Sequence, residues 1–218
     1  MKKNLLWMLA AILLCGLTTT MFTACGGDDE DNQPNSGQQD NSGTTESTTY
    51  EVTFTVLAPT NAFDFMSYDF TYADDKGNRF TKEIDSDMSN ESLTEKEKAD
   101  LNTYLRVATL TTPNITQVFT DYRAQHFTLK NLSTGSTIHY ELVMHPNSDY
   151  QPAEGEAFAF VSPLVNVVQT PKNGTATVLC DYESRLYSFK DTAWEDFKSR
   201  MEGRKLIDRD VTVGQKKE

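Results

Sequence analysis

From Tyr50 onward apolar side chains recur at every second position, a period that an extended strand satisfies and a helix does not. Tyr50, Val52, Phe54 and Val56 alternate with Glu51, Thr53 and Thr55, which puts one apolar and one polar face on a strand. Met66, Tyr68, Phe70 and Tyr72 repeat the pattern against Ser67, Asp69 and Thr71. Asp74-Asp75-Lys76-Gly77-Asn78 supplies turn chemistry before Phe80, Lys82 and Ile84, so residues 65–84 are predicted to form a hairpin. Strand character resumes near Val118, continues through Phe127 and Leu129, and turns at Ser133-Thr134-Gly135. Ile138, Tyr140, Leu142 and Met144 supply the next inward face. A polar loop from Pro146 to Glu156 precedes strands expected over residues 158–168, 175–182 and, shorter, 206–213.

Two segments break the alternation. Thr94 with Glu97 three residues on makes a capping box, and Leu101, Tyr104, Leu105 and Ala108 fall at helical spacing, predicting a helix over 94–107. Thr192 with Glu195 has the same form ahead of Trp194, Phe197 and Met201, with Gly203 as the stop. A block of this size buries about 70% of its unfolded surface, enough for one core without covalent staples. The expectation is a mainly β fold over residues 49–213: a single immunoglobulin-like or related β-sandwich with two short helices, a closed β-barrel being the alternative. Residues 214–218 are expected to fray.

Upstream the composition changes. Lys2 and Lys3 precede an apolar stretch from Leu5 to Leu17, shorter than the ~20 residues a membrane-crossing helix needs. It has the form of a cleaved signal, residues 1–24. Phe22-Thr23-Ala24 puts a small residue directly before Cys25, whereas bulky Leu14 precedes Cys15. In this the leader resembles that of bacterial lipoproteins, which implies that Cys25 carries the lipid and holds the chain on a membrane. The run Gly26-Gly27-Asp28-Asp29-Glu30-Asp31 is similar to the acidic export signal of Bacteroidetes-type lipoproteins. That resemblance makes Asp28, Asp29, Glu30 and Asp31 the signal and the outer-membrane surface the destination. Residues 26–48 hold almost only polar side chains and Gly, so the lipidated cysteine is expected to continue into a flexible tether through residue 48, spanning about 25 Å. The segment Tyr50 to Ile84 resembles uncharacterised Bacteroidetes lipoprotein domains, a likeness that brings no function with it.

Formal net charge is −12, a field that repels phosphate backbones, so nucleic acid is excluded as a partner class. The charge is uneven. Residues 183–218 carry nine Lys or Arg against eight acids, so this end is close to neutral while the rest is acidic. With Cys15 in the leader and Cys25 lipidated, Cys180 has no intramolecular partner and is expected to be a buried small hydrophobe.

Three patterns could carry chemistry. His139, Glu141 and His145 share one strand face and are zinc-type ligands, but about 20 Å of extended chain separates the two histidines. His126 joins neither of them by spacing. Asp85-x-Asp87-x-Ser89-x-Glu91 resembles the start of an EF-hand calcium loop, yet Asn90 stands where the turn glycine belongs and Lys96 where the bidentate glutamate belongs. Aromatic rings are mostly in register with the core; Phe63, Phe65, Tyr150, Tyr182 and Tyr187 are those that a loop or edge could expose to a sugar. No phosphate-cradling glycine loop, nucleophile elbow or Cys-x-x-Cys pair is present. These readings point to a non-enzymatic surface module without a cofactor, whose ligand residues the sequence does not identify. Glycan or a surface protein is the expected partner. A fimbria-like assembly subunit and a small metal-dependent hydrolase are the alternatives.

Overall fold

Ten strands and two α-helices are formed among the residues described by the computed structural model, namely 48–111, 119 and 121–215. Thr45–Glu218 makes one compact unit. The signal, Cys25, the acidic run Asp28–Asp31 and most of the tether lie outside the described residues, as does Val118.

The first sheet has the order β4-β1-β7-β8, built from β1 (Thr49–Pro59), β4 (Tyr122–Ser133), β7 (Leu164–Pro171) and β8 (Thr177–Cys180). The second has the order β10-β5-β2-β3, from β2 (Met66–Ala73), β3 (Arg79–Ile84), β5 (Thr137–Pro146) and β10 (Arg204–Thr212). Every pairing is antiparallel. The two sheets pack as a β-sandwich, and no closed barrel forms. The alternation read from sequence sets its interior: Val52, Phe54 and Val56 from one sheet meet Tyr68, Phe70, Tyr140 and Leu142 from the other, all at most 1% exposed. Each fully buried large side chain contributes about 1.5–3 kcal/mol. Phe54 adds ring contacts to Phe70, Tyr72 and Tyr140 at 5.3–5.6 Å.

The hairpin β2–β3 closes at Asp74–Asn78, where the Asp74 carboxylate accepts the backbone N–H groups of Lys76 and Asn78, and Gly77 takes φ +83°. Helix α1 (Glu95–Thr111) runs four residues beyond the predicted end. Its capping box forms: Glu97 N–H donates to Thr94 Oγ1 at 3.2 Å, and Thr94 N–H to the Glu97 carboxylate at 2.8 Å. Leu101 packs with Leu57, Ala124 and Leu164, the outward residues of the first sheet, so α1 covers that sheet's outer face.

Three expectations are corrected. The stretch 158–168 is two strands, because Pro163 has no N–H to give a ladder; β6 (Ala157–Val161) leaves the sandwich and pairs with β9 (Leu186–Lys190), which the alternation did not reveal. The Thr192–Glu195 capping box does not form. A 3-10 turn at Asp191–Ala193 leads into α2 (Trp194–Met201), whose N-cap is Ala193 without a side-chain bond, and Glu195 pairs instead with Lys198. Cys180 is half-buried rather than buried. The β6–β9 pair and α2 close one end of the sandwich with stacked rings, Phe158 on Phe189 at 4.9 Å and Phe189 on Phe197 at 4.3 Å.

Candidate binding face

The outer face of the second sheet carries a charged network ordered by cross-strand register. Glu141 on β5 lies opposite Thr71 on β2 and Asp208 on β10, and His139 lies opposite Asp210. A bulge in β10 between Lys205 and Ile207 turns Lys205 and Asp208 to the same side, while Leu206 and Ile207 are both buried. Lys205 Nζ then sits 2.6 Å from Glu141 Oε2 and 3.0 Å from Asp208 Oδ2, and Arg79 Nη2 reaches Glu141 Oε1 at 2.5 Å. The Lys205 hydrogen bond holds the Glu141 carboxyl below its usual range against the opposing effect of burial, and the Arg79 and His139 charges add to it. The same pairing lowers Asp208 and raises Lys205.

His139 bonds Asp210 through Nδ1 at 2.9 Å, with Nε2 3.5 Å from Asp208 and 3.9 Å from Glu141. His145 lies elsewhere on the face, 2.8 Å from Glu202 and 3.3 Å from Asp69. The expected trio is therefore divided: His139 and Glu141 come together, His145 does not. Asp208, absent from the sequence reading, completes a His-Glu-Asp group whose ligand atoms lie within 4.8 Å of one another. Its chemistry suits a divalent cation, but its charge balance does not, since the Lys205 ammonium already lies between the two carboxylates and Arg79 takes the other Glu141 oxygen. Lys205-x-x-Asp208 gives no such signal in sequence, because only the bulge places both residues on one face.

The Asp85, Asp87, Ser89 and Glu91 oxygens do not converge as calcium ligands. Asp85 accepts the Asp87 N–H at 2.8 Å as an Asx turn, and the Ser89 hydroxyl is 3.5 Å from Glu91. The segment instead covers the free edge of β4. Glu91 N–H donates to Ala124 O at 2.7 Å, Asn90 Oδ1 accepts the Ala124 N–H at 3.3 Å, and the Glu91 carboxylate accepts the His126 N–H at 3.2 Å. The His126 ring, assigned no role from spacing, bridges two carboxylates, Nδ1 to Glu91 at 2.7 Å and Nε2 to Glu97 at 2.9 Å. Burial pushes Glu97 up and His126 down, but their hydrogen bonds win in both. Thr55, Thr94 and His126 hold Glu97 at about 2, and the two carboxylates raise His126.

A cleft of about 550 Å³ opens along β10, where Lys205 and Asp208 line it with Tyr104, Ser162, Ser184 and Arg185. Its walls are mainly polar side chains. Tyr104 Oη and Ser184 Oγ are hydrogen-bonded across it, and Arg209 pairs with Glu183 at 2.5 Å. The rings expected at the surface face inward: Phe65 and Tyr182 are each 6% exposed, and Phe63, Tyr150 and Tyr187 pack on the core. Phe65 is held by Phe158 at 5.2 Å and Tyr150 at 5.4 Å, so the closed end of the sandwich consumes the aromatic surface that a sugar platform would need. Among the described residues Phe80, Val107 and Leu110 are the exposed large apolar side chains. No known protein family matches the chain, and no curated protein or solved structure shows significant similarity to it.

Proposed function

We propose that the protein is a non-catalytic binding module, anchored by lipid at Cys25 and turned outward from the outer membrane by the acidic run Asp28–Asp31, that engages an extracellular ligand. The observation that carries this reading is the contrast between the sandwich's outer faces. One is sealed by α1, and the other presents fixed charged side chains beside a polar cleft. Such a cleft, lined by hydroxyls and charges without an exposed ring, suits a hydroxyl-rich ligand such as a glycan bound by hydrogen bonds. A panel of polysaccharides scored by melting temperature tests this: a shift with at least one member is expected, and none with any withdraws the glycan reading. Labelled palmitate incorporation abolished in Cys25→Ser, with cleavage by protease added to intact cells, tests anchor and surface display separately.

The assembly-subunit alternative needs an open edge strand. β3 is an edge, but Lys82 shares the inward side of that strand with Phe80 and Ile84, and a charge pointing inward at an edge disfavours strand addition. The hydrolase alternative requires a metal where Lys205 and Arg79 now neutralise Glu141 and Asp208. Both observations favour the binding module.

A further inference from the structure

We infer that the cleft along β10 is an anion site, with Arg185 as the anchor for a carboxylate or sulfate group on its ligand; this rests on the reading of the domain as a binding module. Three cations line the cleft, and their partners distinguish them. Arg209 is held by Glu183, and Lys205 is shared by Glu141 and Asp208. Arg185 is exposed and has no carboxylate partner among the described residues.

The backbone beneath Arg185 is fixed in a way that a mere surface loop is not. Its N–H donates to Ser162 Oγ at 2.9 Å, and its carbonyl accepts the Ser162 N–H at 2.9 Å, a reciprocal clamp onto a serine only 2% exposed. The next residue, Leu186, begins β9 opposite Val161. The guanidinium lies by the Tyr187 hydroxyl rather than a carboxylate and rises from a base secured on both sides, which lowers the ordering cost of a bond to a planar oxyanion. The Tyr104 and Ser184 hydroxyls, bonded to each other, stand beside it with one proton left to donate to a hydroxylated ligand.

Charge distribution agrees. The cleft's cations Arg185, Lys205 and Arg209 all come from residues 183–218, the near-neutral end of a chain whose remainder is acidic, and they outnumber the lining carboxylates Glu183 and Asp208.

The test pairs charged polymers with their neutral parents: polygalacturonate against its methyl ester, and dextran sulfate against dextran, each titrated calorimetrically into the purified protein. Binding is expected with a charged member of a pair and not with its parent, weakening as salt rises. Arg185→Gln should reduce it about tenfold or more, the scale of one charge-assisted hydrogen bond. Lys82→Gln, the same charge change on the edge strand β3, should leave it intact. If Arg185→Gln lowers the melting temperature, Arg185→Lys keeps the charge, removes the fork and should still bind more weakly than wild type. Charged polymers that fail to bind, or that bind Arg185→Gln as tightly as wild type, overturn the anion site. Neutral glycan binding untouched by Arg185→Gln overturns it too while leaving the module reading in place.

Discussion

The two outer faces of the sandwich start from the same geometry and end in opposite states. On the first sheet Leu57, Ala124 and Leu164 point outward and are fully buried, because α1 lies over them through Leu101. On the second, the outward positions are Thr71, Glu141, His139, Asp208 and Asp210, and among the described residues no helix packs on them. The difference is written in the strands: Val56, Leu57 and Ala58 are consecutive and all buried, so β1 is apolar on both sides at that point and demands a third layer. β5 keeps polar residues at His139 and Glu141 between the buried Ile138, Tyr140 and Leu142, and needs none. One face is closed by apolar packing under a helix; the other is closed by charged side chains that pair with one another.

The comparison breaks most severely at the covered face. Leu164→Ala removes a side chain wedged beneath α1 and is expected to cost about 2–5 kcal/mol in chemical denaturation. A loss under 1 kcal/mol would mean that α1 is not bearing on the sheet. Next comes His126→Ala, which strips the bridge between Glu91 and Glu97 and leaves a half-buried carboxylate without one partner, at about 1–3 kcal/mol.

This bridge also makes the covered face pH-sensitive. Glu97 is held at about 2, so its contribution is present above the unfolded value of about 4.3 and is lost as pH falls toward 2. His126 is raised, so its contribution is full below about 6.5 and is lost as pH climbs through its elevated value. The clamp on α1 is therefore strongest between about pH 4.3 and 6.5. A plot of melting temperature against pH should lose its decline on the alkaline side in His126→Ala; an unchanged slope would assign the effect elsewhere.

The bare face should respond more weakly. Glu141→Gln keeps the shape, weakens both ion pairs and should lower stability by about 1–2 kcal/mol. Zinc or calcium should leave the wild-type melting temperature unchanged because Lys205 competes for the same oxygens, and a shift in wild type would revive a metal site there. Smallest of all, Thr71→Val removes a buried hydroxyl bonded to Thr81 at 2.9 Å and is expected to cost about 0.5–1 kcal/mol.

How far the chain could be read follows the range of the forces involved. Alternation over seven or more residues identified β1, β2 and β5 and their inward faces, since side-chain parity is a local property. The Thr94–Glu97 cap was local as well, and it formed. Five residues at Leu186–Lys190 were too few for a period to show, and their partner β6 lies about 30 residues earlier. Thr192 had the right spacing for a cap, but the 3-10 turn before α2 moved the helix start past it. The candidate site divides in the same way. His139 and Glu141 share a strand and were legible together. Asp208, Lys205 and Arg79 reach Glu141 from β10 and β3 through a bulge and a sheet order that no spacing records. The acidic residues from Asp85 to Glu91 were misread because alternating oxygens also suit a segment that must satisfy the backbone of a neighbouring edge.

Thr49, the first residue of β1, has a mechanical consequence. β1 is an inner strand, bonded to β4 on one side and β7 on the other, and Thr49 pairs with Ser133 at the end of β4. Tension arriving through the chain ahead of Thr49 therefore enters a strand zipped on both margins, so that two ladders share the load before the sheet can part. A domain held from that point against drag on its ligand would yield late, and its two flanking strands would set the force.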